Sequence, residues 1–220
     1  MNNLVIFDLD GTLLDTLGDL ADSVNFAIAS VGHGPRTLDE MRTFIGNGTR
    51  RMIERALGED ALNKDTVDDC VSEFAAHYND HYNVKTEAYE GVGHCISELV
   101  KNGIRVGVVT NKLHDISVKL CFEHFGDVFD GVIGDLPGLE RKPDPSKVLK
   151  MMSELDCDAA IMVGDSDVDV MTAKNAGIPC VAVSWGFNSR EKLIAAHPEY
   201  IVDSAEELER KLLEILKIVD

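Results

Sequence analysis

The first apolar segment of the chain is followed by two aspartates, one residue apart, and then by a glycine. The segment from position 7 to 16 reads FDLDGTLLDT and places the carboxylates at Asp8 and Asp10. Alternate residues of a strand lie on the same side, so these two carboxylates repel each other. A divalent cation would relieve the repulsion, and oxygen ligands suit Mg²⁺. The pair therefore predicts a magnesium site beside Gly11, where the backbone can bend to let a ligand come close.

Three later segments also place polar side chains at the ends of apolar runs or in rigid loops. Thr110 and Asn111 end IRVGVVTN, Asp165 ends AAIMVGD, and Lys142 lies in RKPDP. In an open parallel sheet, ligands bind beyond the carboxyl ends of the strands, which right-handed connections bring to one edge. We therefore expect Asp165 to supply a third oxygen to the cation and Lys142 to supply a fixed positive charge. A bound phosphate fits that balance of charges.

The elements that must position these residues alternate between strands and helices. Apolar runs predict strands at 3–10, 104–111, 130–135, 159–165, 179–185 and 200–204. Amphipathic patterns predict helices at 92–102, 114–125, 145–156, 167–176 and 205–219. Nearly continuous apolar strands that alternate with helices indicate a parallel sheet covered on both faces. The predicted fold class is α/β, with a Rossmann-like, doubly wound parallel sheet.

Residues 16–85 break this alternation. Helical patterns follow one another at 17–31, 38–45, 48–57 and 65–82, with no convincing strand between them. An all-helical insertion after the first strand is the simplest interpretation. We therefore predict an α/β domain of residues 1–15 and 86–220 and an inserted helical domain of residues 16–85.

Composition limits the classes of partner. The net charge is −18, and no basic cluster interrupts it, which argues against binding nucleic acid or an anionic membrane. Five widely spaced cysteines without a C-x-x-C pair favour a reducing compartment. With no signal-like or membrane-length apolar stretch, a cytoplasmic location is expected. No G-x-G-x-x-G or G-x-x-x-x-G-K-[ST] motif indicates a nucleotide.

The motifs together resemble those of the haloacid dehalogenase-like hydrolase superfamily, especially its phosphoglycolate phosphatases. DLDGTLLDT resembles the first family motif, VVTN the second, RKPDP the lysine-bearing third and GDSDVDVMTAKNAG the fourth. They occur in the family order between residue 4 and about residue 186. The helical insertion resembles the family's cap domain. Each motif alone is weak, but four at strand ends in order are highly specific.

The resemblance implies Mg²⁺-dependent hydrolysis of a small phosphomonoester, with 2-phosphoglycolate as the leading substrate. It implies that Asp8 attacks phosphorus to form a phosphoaspartyl intermediate, and that Asp10 acts as general acid and then general base. Asp8, Asp10 and Asp165 are the expected metal ligands, and Lys142 is expected to neutralise charge between nucleophile and phosphate. Asp169 is expected to support Lys142 or a metal-bound water.

Other residues have expected supporting roles. Thr110 and the backbone after it, including Asn111, are expected to donate hydrogen bonds to the phosphoryl group. Lys112 is expected to be solvated or at the rim of the site, and Asp167 is expected to cap the following helix.

A second group of substrate contacts is expected from the insertion. Gly46, Asn47 and Gly48 open a predicted helix, whose first N–H groups favour anions. In the relatives that the sequence resembles, this stretch faces the reaction centre. It is therefore expected to contact the non-phosphate end of the substrate, with Arg51 as a further candidate. A plain helix start with surface arginines is an open alternative.

Competing functions remain open from the sequence. A sugar-phosphate phosphatase, a pyrophosphatase or a phosphomutase of the same superfamily would carry the same motifs. A phosphorylation-dependent signalling domain would also combine acidic residues, a threonine and a lysine at the edge of a parallel sheet. The first-strand nucleophile and the helical insertion disfavour that interpretation. A small phosphorylated metabolite is the expected partner, and the chain is expected to be a monomer or a homodimer.

Overall fold

Six parallel strands form a sheet in the order β5-β4-β1-β6-β7-β8 in the computed structural model, which describes residues 2–217. Including two short strands outside this sheet, the strands are β1 (Asn3–Phe7), β2 (Leu14–Asp15), β3 (Glu87–Ala88), β4 (Arg105–Leu113), β5 (Gly131–Asp135), β6 (Ala159–Gly164), β7 (Cys180–Val183) and β8 (Tyr200–Val202). The order reverses direction at β1, whose two neighbours are β4 and β6. This is the doubly wound arrangement of Rossmann-like folds, so the predicted fold class is confirmed.

Ten α-helices lie within the described residues. They are α1 (Leu17–Ala29), α2 (Leu38–Phe44), α3 (Thr49–Leu57), α4 (Lys64–His81), α5 (Val92–Lys101), α6 (His114–Phe125), α7 (Ser146–Glu154), α8 (Asp167–Ala176), α9 (Arg190–Ala196) and α10 (Ala205–Ile215), with a 3₁₀ helix at Gly58–Leu62. Helix α9 was not predicted, because it is short and buries only Leu193. The predicted last helix extends to position 219, and positions 218–219 lie outside the described residues.

The chain divides into two compact units. Residues up to 14 and from 88 onward form the core unit, and residues 15–87 form the insertion unit. The limits expected from sequence, 15/16 and 85/86, lie one and two residues away. The core unit holds the sheet and helices α5–α10, whose buried contacts include those of Leu4, Ile6 and Met162 along β1 and β6.

The insertion unit is helical. Helix α2 begins with a capping box, in which Thr37 accepts a hydrogen bond from Glu40 N and the Glu40 carboxylate accepts one from Thr37 N. Helix α4 is capped by Asn63, whose side chain accepts bonds from the next turn. The core of the insertion unit includes Ile53 of α3 and Phe74 of α4, both of which are buried.

A buried aspartate of α1 connects the two ends of the insertion unit. The Asp19 carboxylate accepts hydrogen bonds from the N–H groups of Val84, Lys85 and Thr86, at 2.9–3.0 Å, and from the Thr86 hydroxyl at 2.7 Å. Asp19 is only 2% exposed, and it lies in the first helical turn, where a negative charge is favourable. No pattern in the sequence indicates this contact.

None of the helices in the described part of the chain combines the length and the apolar character needed to cross a membrane.

The ladder between β4 and β5 is interrupted near the end of β4. Pairing is regular up to Val109–Ile133 and resumes only at Leu113–Asp135. Pairing of β4 with β1 ends at Phe7–Val108. Residues 110–112 therefore extend past the regular ladder at the carboxyl edge of the sheet, as irregular strand segments near functional sites commonly do.

Candidate functional site

The loop after β1 is held in a tight turn. Asp8 N donates to Val163 O at 2.8 Å, which continues the pairing with β6, and the Leu9 carbonyl accepts from the N–H groups of Leu13 and Leu14. Gly11 has φ +85, and a Cβ there would lie 2.5 Å from Oδ2 of Asp165. Only glycine combines a positive φ with the absence of a side chain at this close contact. The glycine therefore lets the loop after β1 lie directly against Asp165 at the end of β6.

Lys142 is buried between two carboxylates. Its Nζ lies 2.6 Å from Oδ1 of Asp169 and 2.9 Å from Oδ1 of Asp8. Burial alone would lower the pKa of Lys142, but the carboxylates of Asp169 and Asp8 outweigh that effect and raise it. The ammonium is therefore charged at neutral pH.

Asn111 holds the backbone of Lys142 in place. Its side-chain Nδ2 donates to Lys142 O at 3.0 Å, and its Oδ1 accepts from Lys142 N at 2.8 Å. The Asn111 side chain is thus occupied by Lys142, so the backbone of Asn111 is the part that can serve as the expected phosphoryl donor. Thr110 is buried beside it, and its Oγ1 accepts from Lys112 N at 3.3 Å.

Asp169 is fixed by the start of α8. Ser166 is the N-cap residue, and it forms a capping box with Asp169, whose Oδ2 accepts from Ser166 N at 3.1 Å and Ser166 Oγ at 2.6 Å. Asp169 therefore presents Oδ1 to Lys142 and has no freedom to turn away. The expectation that Asp167 caps this helix is wrong, because Ser166 supplies the cap and Asp167 is exposed in the first turn.

Asp165 is the third carboxylate of the group. It is 2% exposed, its Oδ2 accepts from Phe187 N at 2.7 Å, and its Oδ1 accepts from Thr12 Oγ1 at 3.3 Å. Oxygens of Asp8, Asp165 and Asp169 all lie within 4.8 Å of one another. The carboxyl ends of β1 and β6 thus form an oxygen-lined cluster at the point where the strand order reverses.

This cluster carries more negative charge than Lys142 can balance. Burial raises the pKa of Asp165 to about 8, with the carboxylates of Asp169 and Asp8 adding to the effect. Burial likewise raises the pKa of Asp8 to about 6, against the opposing influence of Lys142. Oδ1 of Asp8 is buried, and within residues 2–217 it has no hydrogen bond beyond its ion pair with Lys142. The crowding, the all-oxygen donors and this poorly satisfied atom fit a hard divalent cation.

The side chain of Asp10 does not belong to this cluster. Its Oδ1 accepts a hydrogen bond from Lys112 Nζ at 2.9 Å, and the Lys112 side chain is 3% exposed. Of the two expected positions of Lys112, the solvated one is therefore wrong, and the buried side chain lies against Asp10. The missed signal was alternation: in a strand that continues to Leu113, residues 110 and 112 share a side.

The loop expected to contact the substrate in the insertion unit lies between α2 and α3. Gly46 has φ +107, and Gly48 has φ +83 and precedes the first residue of α3. Asn47 between them is half-buried, and no hydrogen bond of its side chain is found within the described chain. Arg51 is exposed on the first turn of α3 and pairs with Glu54 at 2.8 Å.

Comparison with known proteins gives consistent matches. The family model of haloacid dehalogenase-like hydrolases matches residues 5–183. A protein of Pseudomonas aeruginosa named phosphoglycolate phosphatase 1 is 34% identical over 93% of this chain and 78% of its own length. The phosphoglycolate phosphatase of Psychrobacter arcticus is also 34% identical, over 91% of both chains.

Solved structures agree with these sequence matches. A candidate phosphoglycolate phosphatase of Lactobacillus delbrueckii subsp. bulgaricus superposes with a TM-score of 0.90 at 29% identity, over 96% of this chain and 98% of its own. A protein of Haemophilus somnus, predicted to be a phosphoglycolate phosphatase, gives 0.85 at 27% identity, over 99% and 97% of the two chains. The similarity thus extends over nearly the whole chain, insertion included.

Proposed function

The chain belongs to the haloacid dehalogenase-like hydrolases, and from this membership we propose that it hydrolyses a small phosphomonoester, with 2-phosphoglycolate as the leading substrate. The observation that carries the chemistry is the buried contact of Lys142 with both Asp8 and Asp169 beside the Asp165 carboxylate. The choice of 2-phosphoglycolate rests on the names of the relatives.

In the first half of the reaction, a carboxylate oxygen of Asp8 attacks phosphorus, and the leaving alcohol departs from the opposite side. The P–O bond to the alcohol breaks as the P–O bond to Asp8 forms, which gives a phosphoaspartyl enzyme. Lys142 stabilises the charge that develops between the carboxylate and the phosphoryl oxygens. The capping box and Asn111 keep that ammonium in place.

Asp10 serves the proton transfers. In the first half-reaction it donates a proton to the leaving alcohol, and in the second it accepts one from the water that attacks the phosphoaspartate. Hydrolysis then releases inorganic phosphate and restores the Asp8 carboxylate. The ion pair with Lys112 fixes the direction of the Asp10 side chain.

We propose that Mg²⁺ is held mainly by Asp8 and Asp165, since Asp169 already serves Lys142 and the start of α8. Bound Mg²⁺ would neutralise excess negative charge in the cluster and polarise a phosphoryl oxygen. Asp10 was expected as a third ligand, but its Oδ1 pairs with Lys112 and its side chain lies outside the three-aspartate cluster, so we assign its carboxylate to the proton transfers alone.

The insertion unit is proposed to act as the cap domain, with limits at the junctions of residues 14/15 and 87/88. Within it, the loop Gly46–Gly48 is proposed to contact the non-phosphate end of the substrate through the N–H groups that open α3. A cytoplasmic location and a monomeric or homodimeric state complete the proposal.

A phosphate-release panel tests this function. The purified chain is assayed with 2-phosphoglycolate, hexose phosphates, a bisphosphorylated sugar, pyrophosphate and p-nitrophenyl phosphate, with Mg²⁺ and after chelation. We expect Mg²⁺-dependent release of inorganic phosphate, with the highest kcat/KM for 2-phosphoglycolate. Rearrangement of the bisphosphate without net release would indicate a mutase. A stable phosphoaspartate without turnover would indicate a signalling domain, and either result would overturn the proposal.

A further inference from the structure

A third lysine, in addition to Lys142 and Lys112, is buried next to the proposed phosphoryl site. Lys147 is 0% exposed, and its Nζ donates a hydrogen bond to the Thr110 carbonyl at 3.0 Å. No carboxylate of the described chain lies within 4.0 Å of this ammonium. The family motifs quoted from the sequence do not include Lys147, and the proposed mechanism does not use it.

Close packing of α7 on the sheet accounts for this burial. Lys147 and Met151 are four residues apart and so share one face of the helix. Met151 packs against β4 where a Cβ at Gly107 would lie 2.3 Å from its sulfur. Because Gly107 has no side chain, α7 approaches the sheet closely, and Lys147 occupies a position in the helix pattern that an apolar residue would otherwise fill.

This location is unfavourable for the stability of the fold. Removing an ammonium from water without a paired carboxylate costs free energy, and burial accordingly lowers the pKa of Lys147 to about 8. Lys147 also lies in the first turn of α7, where the helix dipole disfavours a cation. A side chain that opposes stability in two ways calls for a functional reason.

The contact with Thr110 supplies that reason. Thr110 lies where β4 leaves its regular ladder, so its peptide is not fixed by pairing with β5. A cation on the Thr110 carbonyl orients and polarises the peptide between Thr110 and Asn111, which strengthens the peptide N–H as a donor. Under the proposed function, that N–H and the Thr110 hydroxyl bind the phosphoryl group.

We propose that Lys147 is a positioning residue for phosphate binding, which acts by holding the Thr110–Asn111 peptide and by adding a further buried positive charge to the phosphoryl site. This inference rests on the proposed phosphatase function. It concerns binding of the phosphoryl group in substrate and product alike, so its effect falls on KM and on product inhibition more than on kcat.

The test replaces Lys147 with Met, an apolar side chain of similar length, and with Gln, which keeps an N–H donor without the charge. Lys150→Met on the exposed face of α7 is the matched control, since it removes the same charge from a surface pair with Glu154. Measurements are KM and kcat for 2-phosphoglycolate, the inhibition constant of inorganic phosphate, and thermal unfolding.

We expect Lys147→Met to raise KM and the phosphate inhibition constant about tenfold while kcat changes less than about threefold, with Lys147→Gln intermediate. Lys147→Met is also expected to unfold at a higher temperature than wild type. If Lys147 served only to stabilise the fold, Lys147→Met would instead unfold at a lower temperature than wild type. The control variant is expected to match wild type in all three measurements.

The pH dependence gives a further readout. The charged groups that act on the Lys147 ammonium are Asp135 at the end of β5, Lys142 and Arg141 in the preceding loop, and Asp8 after β1. Lys147 loses its proton as pH rises through about 8, so its contribution is present below that pH and absent above it. The ratio of KM between Lys147→Met and wild type is expected to fall toward one between pH 7 and pH 9.5.

Unchanged KM and inhibition constants in both Lys147 variants would overturn the inference, and so would a lower unfolding temperature with normal kinetics. If Lys147→Met does not fold, the Gln variant decides in the same way. A wild-type chain that neither turns over a phosphomonoester nor binds phosphate would instead contradict the proposed function. The two failures are therefore distinguishable.

Discussion

Nζ of Lys112 lies 2.9 Å from Oδ1 of Asp10, and the lysine side chain is almost completely buried. The pair leaves Asp10 pointing in one direction, which a general acid requires. We predict that Lys112→Met lowers kcat/KM for 2-phosphoglycolate about a hundredfold, since that leaving alcohol needs a proton. The loss for p-nitrophenyl phosphate is expected to be less than about tenfold, because its leaving group departs as the anion.

Lys101→Met is the control for this comparison, since Lys101 pairs with Glu98 on the exposed face of α5. Steady-state kinetics of both variants on both substrates decide the matter. An equal loss on the two substrates would assign Lys112 to phosphate binding or to folding and would contradict its role in positioning Asp10.

Asp8→Asn tests the nucleophile. An amide cannot form the phosphoaspartyl bond, so turnover is expected to fall by at least about a thousandfold. The fold should persist, because the change removes a charge from a crowded cluster in which burial has raised the pKa of Asp8 to about 6. Phosphate release and thermal unfolding are measured, with mass spectrometry to exclude deamidation. A variant that keeps a few per cent of the wild-type rate would contradict this role.

The sequence was sufficient to predict the proximity of those site residues that directly follow apolar strands. Asp8 and Asp165 end strongly apolar runs, and parallel connections bring such ends together without knowledge of side-chain packing. Lys142 was identifiable because its motif is distinctive. The doubly wound parallel sheet follows from the same logic, since the strand and helix patterns alternate cleanly outside residues 16–85, whereas the strand order β5-β4-β1-β6-β7-β8 was not predicted.

The burial of two of the three buried lysines within residues 2–217, Lys112 and Lys147, could not be predicted in this way. Lys112 follows Asn111 in a strand that the sequence patterns ended too early. Lys147 lies on the apolar face of α7, but its charge argues for exposure when the sequence alone is considered. Its burial depends on the close approach of Met151 to Gly107, which is a tertiary contact. The two-residue strands β2 and β3 and the short helix α9 likewise carry too few residues to form a periodic pattern.

The pKa values of the carboxylate cluster predict how Mg²⁺ stabilises the chain. Burial raises the pKa of Asp165 from 3.8 to about 8, so the folded state holds that proton more tightly than the unfolded state does. Without metal, this contribution to stability is present at low pH and is lost as pH rises through about 8. Mg²⁺ binds the deprotonated carboxylates, so the increase in unfolding temperature that it produces should be larger at pH 8 than at pH 5.5.

Asp165→Asn should remove this Mg²⁺-dependent increase and should raise the metal-free unfolding temperature at pH 8. Asp167→Asn is the matched control, because Asp167 lies only two residues further along the chain, in the first turn of α8, and is exposed. Thermal unfolding at both pH values, with Mg²⁺ and with chelator, checks the prediction. A Mg²⁺ effect of equal size at the two pH values would show that these carboxylates do not hold the cation.

If the loop Gly46–Gly48 contacts only the non-phosphate end of the substrate, a change in this loop should weaken substrate binding without weakening the binding of inorganic phosphate. Asn47→Ala is expected to raise KM for 2-phosphoglycolate about tenfold, while the inhibition constant of inorganic phosphate stays unchanged. Arg51→Ala is expected to change neither constant, since its guanidinium is exposed and paired with Glu54. Kinetics with 2-phosphoglycolate and phosphate test both variants. A normal KM in Asn47→Ala would remove this loop from substrate recognition.

Asp19 provides a prediction about stability within the insertion unit. Its carboxylate accepts hydrogen bonds from the N–H groups of residues 84–86 and from the Thr86 hydroxyl, so Asp19→Ala leaves the two buried donors of Thr86 and two partly buried N–H groups without their acceptor. We expect a loss of about 3 kcal/mol in the free energy of unfolding. Asp22→Ala on the same helix removes only an exposed pair with Lys85 and should cost less than about 1 kcal/mol. Urea unfolding of the full chain measures both variants, and equal losses would mean that the Asp19 contacts contribute no more than a surface ion pair.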